Sequence, residues 1–512
     1  MPDSPAPEPP APLEVTSASP GRRKTVALIV LCAAVFLAAL DQTMVVTVLP
    51  ALMRDLHIPY TRLDDAAWIV TGYLLGYTVA MPLFGRLADV RGRRPVFIAA
   101  LGVFVVGSIL CVFAGNLPWL VSARVVQAIG GGALVPVAMV AAATLLPDRR
   151  AFALGVVGAA AEAGGVLGPL YGATLSQLWG WQMIFLVNIP LGLALAVASH
   201  FLLSRDAPGI GRERIDYVGA ALMGAALASL TIGLAGDTQT GSATVRPAWI
   251  AASIAAFVVF LLVEIRTEKP LVELSLFRKR SFSAANLANL AVGIALIIAM
   301  VEVPLYAYSI LGTSEIQGGL LLMRLTVMIP IGALAGGFIA DRAGYRFAGV
   351  LGFVLTGVGF IWTGLWPDEP SAIQMTMALA LTGLGFGIVI APIGATVIAS
   401  VGQAWVTTGS ALVTVMRMVG MTVGLSALSS WGLRRFNGLM SEHTLPLRTG
   451  DMSQSQYDAL VAAYEKALND ALHAVYSEFF LIAAGVALLA IVPALFFHRG
   501  RGRGPGLPFL PQ

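Results

Sequence analysis

GRLADVRGRR at 85–94 returns as GFIADRAGYR at 337–346. Both copies read G-x-x-A-D-x-x-G-x-R, so Gly85, Ala88, Asp89, Gly92 and Arg94 match Gly337, Ala340, Asp341, Gly344 and Arg346. Each copy follows one apolar run and precedes another. A short polar loop repeated at equivalent places predicts a chain built from two halves of one helical plan. Internally duplicated membrane bundles of this kind place a substrate site between the halves.

Composition agrees with a membrane setting. Of 512 residues, 57% are hydrophobic and 12% charged, and mean hydropathy is +0.82. A soluble domain carries roughly 25% charged residues. A spanning helix needs about 20 mostly apolar residues, and fourteen such runs begin near 26, 66, 95, 118, 152, 183, 216, 247, 285, 315, 347, 372, 406 and 476. Cytoplasmic loops collect Lys and Arg. With the N-terminus inside, inner segments hold 22 of the 32 basic residues, outer segments 7, and Arg124, Arg324 and Arg417 fall within spans. Both termini are therefore expected in the cytoplasm. The expected fold is an all-α integral membrane protein of two six-helix bundles plus two extra central spans. Its segments are a disordered tail (1–21), an N-terminal bundle (22–205), two linker helices (206–282), a C-terminal bundle (283–498) with a periplasmic extension (437–475), and a tail (499–512).

Other chemistries are excluded by what is missing. Cys32 and Cys111 both lie in apolar runs, which argues against a disulfide framework or a cysteine metal site. The five histidines show no metal-ligand spacing, so no metal is expected. The glycine loops lack the Gly-Lys-Ser/Thr ending of a phosphate loop, and no nucleophile triad is visible. Neither an enzyme nor a nucleic-acid partner is expected, because the net charge of +4 comes from basic residues clustered between apolar runs.

Four stretches together resemble the major facilitator superfamily, in its fourteen-helix drug:proton antiporter branch, over about residues 22–498. LDQTMVVTVLP (40–50) is similar to the first-helix signature, with Thr47 where Asn is usual. GRLADVRGRR resembles the superfamily's loop motif, and RVVQAIGGGAL (124–134) its fourth-helix basic motif. GGVLGPLYG (164–172) resembles the antiporter motif of the fifth helix, with Tyr171 where Gly is frequent. Within the branch, AEAGGVLGPLYG and MRMVGMTVGLSALSSWGLRRFN (416–437) resemble mycobacterial exporters of triacylglycerides and drugs; Arg324 departs from their pattern. The resemblance implies a monomeric inner-membrane exporter of lipids or other hydrophobic molecules, driven by a proton gradient with no cofactor, beside a periplasmic lipoprotein partner; the rival readings are a proton symporter for a small metabolite and a non-transporting membrane scaffold or sensor.

Charges inside spans are costly and mark substrate or proton paths. At about 1.5 Å per residue, Glu162 lies roughly 17 Å into span 5 and Arg417 a similar depth into span 13. Asp41, roughly 24 Å up span 1, matches Arg124, roughly 21 Å up span 4. Both pairings are open to a static reading, in which they only fix helix register. Glu162 and Asp41 are the candidate proton carriers, because desolvation favours the neutral carboxyl and a nearby arginine the carboxylate. Gly164, Gly168 and Gly172 fall about 200–280° around the helix from Glu162 and form a smooth packing face. Gly332 and Gly336 of span 10 offer a matching pattern, and Pro169 is expected to bend span 5 above the carboxylate. Asp89 and Asp341, with Arg94 and Arg346, are read either as solvated loop charges or as a conformational latch, Asp gaining from a neighbouring helix dipole in one state. Glu302 is expected near the outer interface. Finally, no proline interrupts 453–492, which predicts one helix from near Ser453 through span 14. That helix either projects outward or lies on the leaflet.

Overall fold

A computed structural model describes residues 20–59, 63–146, 150–203, 216–234, 246–267, 270, 274–367, 369–401, 406–443 and 453–498. The expected tails, apart from Pro20 and Gly21, lie outside these residues, as does all of the basic 205–214 loop. Among the described residues there is no strand. The first half comprises α1 (Pro20–Thr47), α2 (Leu49–Asp55), α3 (Leu63–Arg91), α4 (Arg93–Val112), α5 (Leu117–Leu145), α6 (Arg150–Trp179), α7 (Gln182–Leu186) and α8 (Asn188–Leu202). Two helices follow, α9 (Tyr217–Leu234) and α10 (Pro247–Arg266). The second half comprises α11 (Arg280–Ser309), α12 (Glu315–Thr326), α13 (Met328–Ala343), α14 (Tyr345–Gly364), α15 (Ala372–Ser400), α16 (Val406–Met440), α17 (Gln454–Leu489) and α18 (Ile491–Ala494).

Thirteen helical segments among the described residues are long and apolar enough to cross a membrane. The fifth expected span corresponds to α6, which is not one of the thirteen. Its 30 residues include Glu162 and Pro169, and several side chains of its first turns lie outside the described residues. Local sequence explains where helices start. Ser314, Ser371 and Ser453 each cap a helix and close a capping box with Gln317, Gln374 and Gln456, satisfying backbone N–H groups that have no partner within the helix. The repeated loops share one backbone solution: Gly92 and Gly344 precede α4 and α14 with φ of +91° and +94°. That region strains any residue carrying a Cβ, which explains the second glycine of the repeat.

Packing carries the same duplication. In the first half α1 packs on α6, α3 on α5, and α4 on α5; in the second, α11 packs on α16, α13 on α15, and α14 on α15. Across the halves, α6 meets α12 while α16 meets α3. The two extra helices pack on each other, and α9 touches both α3 and α16 at the seam. Most of α10 is exposed apolar surface, including Trp249, Ile254, Phe257 and Ile265, as suits a lipid-facing helix. One buried acid occurs in this pair, Glu264 of α10, only 3% exposed beside Gly219 of α9.

The glycine stripes are used differently from each other's mirror-image expectation. Gly164, Gly168 and Gly172 press α6 onto α1, and a Cβ on Gly168 would stand 1.9 Å from Thr43 Oγ1 and 2.8 Å from the Leu40 carbonyl oxygen. Gly332 and Gly336 instead press α13 onto α15, against Leu384, Gly387 and Ile388. The two stripes do not meet; each closes a helix pair within its own half. Gly172→Ala, whose Cβ would come 2.4 Å from the Met44 carbonyl oxygen, should destabilise by about 1–3 kcal/mol, the usual cost of overpacking. Gly165→Ala, with nothing within 4 Å, should be neutral. Thermal unfolding of the two purified variants in detergent checks the contrast.

Candidate functional site

Two ion pairs formed by the intramembrane charges differ in almost every physical respect. Asp41 of α1 is fully buried. Arg124 Nη1 of α5 donates to its Oδ2 at 2.7 Å, while Gln127 Nε2 (2.9 Å) and Asn188 Nδ2 (2.7 Å) donate to Oδ1. Arg124 also donates to Gln127 Oε1 at 2.7 Å, and Gln127 donates to Ser108 Oγ at 2.9 Å. The guanidinium lies 4.0 Å from the Tyr73 ring centre and 5.6 Å from that of Phe185. Every one of these residues belongs to the first half. A charge pair sealed this way is held by its hydrogen bonds, since desolvation offsets much of the Coulomb attraction.

Glu162 and Arg417 join the two halves. Arg417 Nη1 of α16 donates to Glu162 Oε1 of α6 at 3.4 Å, with side chains 23% and 40% exposed respectively. Beside them Gln42 Nε2 of α1 approaches Met418 Sδ of α16 at 3.5 Å. Above the pair, Thr47 Oγ1 donates to the Pro169 carbonyl at 2.8 Å, and Thr326 Oγ1 of α12 to the Val166 carbonyl at 3.4 Å. Gly319 of α12 lies against Pro169, Leu170 and Ala173. The carboxylate therefore sits at a seam that is closed on one side of it and reachable from the other.

The closed side is tied by a second cross-half contact that the sequence did not signal. Arg54 Nη2 of α2 donates to Glu315 Oε1 at 2.7 Å, Arg54 Nη1 to Tyr308 Oη at 3.3 Å, and Ser176 Oγ to Glu315 Oε2 at 2.8 Å. Glu315 is the first residue of α12 behind its Ser314 cap, where the helix dipole favours a negative charge. Arg54, Asp55, Ser176, Trp181, Tyr308 and Glu315 line a cavity of about 320 Å³ there. By the expected orientation this is the outer end. Glu315→Gln removes the charge but keeps the shape, so outer opening should become more frequent. A cysteine at Gln177, also lining the cavity, should then react several-fold faster with an impermeant maleimide; an unchanged rate means the pair is incidental.

The remaining predicted residues fall as follows. Arg324 of α12 donates to the Ala372 carbonyl at 3.0 Å and to Thr376 Oγ1 at 2.8 Å. Its partners are neutral groups of its own half, not a carboxylate, because α12 brings it against the start of α15. Asp341 is exposed, and Arg346 Nε donates to the Phe497 carbonyl at 2.8 Å. Arg94 is half-buried; the Asp89 side chain lies outside what the structure describes. Glu302, expected at the interface, is instead 4% exposed, because α11 continues seven residues beyond it to Ser309. Sequence reasoning also missed Gln127 and Asn188. Gln127 follows Arg124 by three positions, on the same helix face, and Asn188 is an amide inside an apolar run.

The long helix is continuous. α17 runs 36 residues, about 54 Å against a hydrocarbon core of about 30 Å. Much of its first half is exposed, Leu460 by 46%. Arg435 near the end of α16 grips Glu478 through Nε and Nη2 at 2.9–3.1 Å, and Trp431 packs edge-on against Phe479. These contacts tie α17 to the end of α16.

The sequence profile of the Major Facilitator Superfamily matches residues 31–425. The chain belongs to this superfamily. The superfamily consists of membrane transporters, so this member is a multi-pass protein of the inner membrane and not an enzyme. It is 36% identical over 480 residues to a triacylglyceride transporter of Mycolicibacterium hassiacum, covering 90% of each chain. It is 35% identical over 482 residues to the triacylglyceride transporter of Mycobacterium tuberculosis strain H37Rv, covering 90% of this chain and 92% of that one. Among solved structures it is similar to a bacterial homolog of the human lysosomal transporter Spinster in an inward-facing, unoccupied conformation, with TM-score 0.61 and 18% identity over 92% of this chain and 98% of that one. The human organic anion transporter MFSD10 is also similar, with TM-score 0.57 and 15% identity over 91% and 99% of the two chains.

Proposed function

We propose that this major facilitator is a proton-coupled exporter of triacylglyceride-like lipids and lipophilic drugs, working by alternating access. The observation that carries the reading is the Glu162–Arg417 pair: a titratable carboxylate shared between the halves, 40% exposed, at mid-chain depth. Protonation of Glu162 removes its attraction for Arg417, so proton arrival and separation of α6 from α16 are one event. The ion pair re-forms only with the carboxylate, so closing of the seam and loss of that proton go together. One pH unit supplies about 1.4 kcal/mol per proton, and 100 mV adds about 2.3 kcal/mol, enough for uphill export of a dilute lipid. Asp41, sealed in its own half, is assigned the other role considered for it, that of fixing the bundle. Asp89 and Asp341, with Arg94 and Arg346, are proposed as latch groups at the opposite mouth from the Arg54–Glu315 tie.

Lipid cargo is supported by the names of the relatives in two mycobacterial species. The α16–α17 pair supplies a surface on which a periplasmic lipoprotein would receive cargo. The test is reconstitution into liposomes with an imposed pH gradient, following labelled triacylglyceride and a lipophilic dye in parallel. Wild type should move both only with the gradient. Removing residues 441–470 should abolish lipid movement and spare dye. Lipid movement indifferent to the gradient defeats the proposal.

A further inference from the structure

We propose that Glu302 of α11 is a proton-binding site of the C-terminal half, separate from the seam pair. Glu302 is 4% exposed, and its buried Oε2 has no hydrogen-bond partner. Among the described residues no ion pair is formed by Glu302. The helices packed on α11 make this specific. On α16, Arg417 is engaged by Glu162 and lies beside Gly293, nine residues below Glu302; Arg434 donates to Ser430, and Arg435 to Glu478. On α12, Glu315 is held by Arg54 and Ser176, and Arg324 by Ala372 and Thr376. The α15 sequence contains no ionisable residue, and neither does that of α18. On α1, Asp41 is bound to Arg124, Arg23 donates to the Phe201 carbonyl, Lys24 is exposed, and Cys32 is a half-buried free thiol. The 3-10 turn 274–278 carries Arg278, but it packs at the start of α11, some twenty residues before Glu302; α17 brings His473 and Tyr476, whose rings lie 6.2 and 5.6 Å from that of Tyr306.

Tyr306 is four residues after Glu302 and thus on the same face of α11. Trp366 also packs on Tyr306, at 5.4 Å between ring centres, and its buried Nε1 has no acceptor. An unpartnered carboxyl and an unpartnered donor border one aromatic cluster. Burying an isolated carboxylate costs so much that such a group takes up a proton instead. It becomes a carboxylate when movement of the halves brings water or the indole N–H to it. Pro304, which cannot donate to the Met300 carbonyl, loosens the helix ladder at this level and supplies the local freedom. As a proton-holding group Glu302 stands on its own geometry; as a coupled group it rests on the proton-driven reading above.

Infrared difference spectroscopy of the full chain in lipid tests the first part. The carbonyl stretch of a protonated carboxylic acid should be present at neutral pH, shift in D₂O, persist in Glu162→Gln and Asp41→Asn, and vanish in Glu302→Gln. A band unaffected by Glu302→Gln, or no band in wild type, overturns the proposal. In liposomes, Glu302→Gln should lose gradient-driven export while keeping wild-type thermal stability and cargo binding. Retained gradient-driven export overturns the coupled role alone. Wild type that ignores the gradient sinks the proposed function instead, and the infrared band still decides whether Glu302 holds a proton.

Discussion

Glu162→Gln is expected to stop gradient-driven export and leave the protein folded. The pair it belongs to is 3.4 Å long with both partners partly exposed, so its loss should cost less than about 1 kcal/mol of stability. Glutamine keeps the size and the hydrogen bond to Arg417 but cannot exchange a proton. Cargo movement under an imposed pH gradient should therefore fall to the level seen without one, while the melting temperature stays close to wild type. Arg417→Gln should have a different signature. The carboxylate then has no cross-half partner to re-form with, so export should be slowed at every external pH rather than losing its response to the gradient. Two variants with wild-type transport would remove the seam pair from the mechanism.

Arg124→Ala is expected to do the opposite, damaging the fold first. It strips Asp41 of its counter-charge where no water reaches and leaves Gln127 Oε1 without its Arg124 donor. Breaking a buried pair by removing one partner costs about 3–5 kcal/mol, a large share of the roughly 5–15 kcal/mol that holds a typical protein together. Yield of monodisperse protein and the melting temperature should both collapse. The double variant Asp41→Asn with Arg124→Met should recover much of the loss, because the amide still accepts from Gln127 and Asn188 and no charge is left buried. Non-additivity of that size is what residues in one network show. If the recovered double variant exports normally under a gradient, Asp41 is a structural group; if it is stable but inert, Asp41 carries protons too.

The contrast between these pairs was only half legible before folding. Depth along a helix follows from counting residues, so Asp41 matched Arg124 and Glu162 matched Arg417 in height. Exposure does not follow from counting. Asp41 is sealed because Gln127 and Asn188, from two other helices, converge on it while Ser108 of a third accepts from Gln127, and each of those amides or hydroxyls looks ordinary in its own run. Glu162 is reachable because its partner belongs to the other half. The Gly332–Gly336 pattern shows the same limit. A small-residue stripe announces a close helix contact, but the partner, here α15, is chosen by topology.

Hydropathy, the positive-inside bias and the duplicated Asp-x-x-Gly-x-Arg loops determined by themselves that this is a duplicated helical membrane protein and roughly where many of its helices begin. These are local quantities: an apolar run must leave water, and a backbone with positive φ needs glycine whatever surrounds it. Only the tertiary structure decided which charges share a partner across 255 or 261 positions of chain, as Glu162 with Arg417 and Arg54 with Glu315 do, and which acid, Glu302, is left alone. Pairing and solitude depend on what neighbouring helices bring within about 4 Å, and that distance has no trace in the order of residues along one helix.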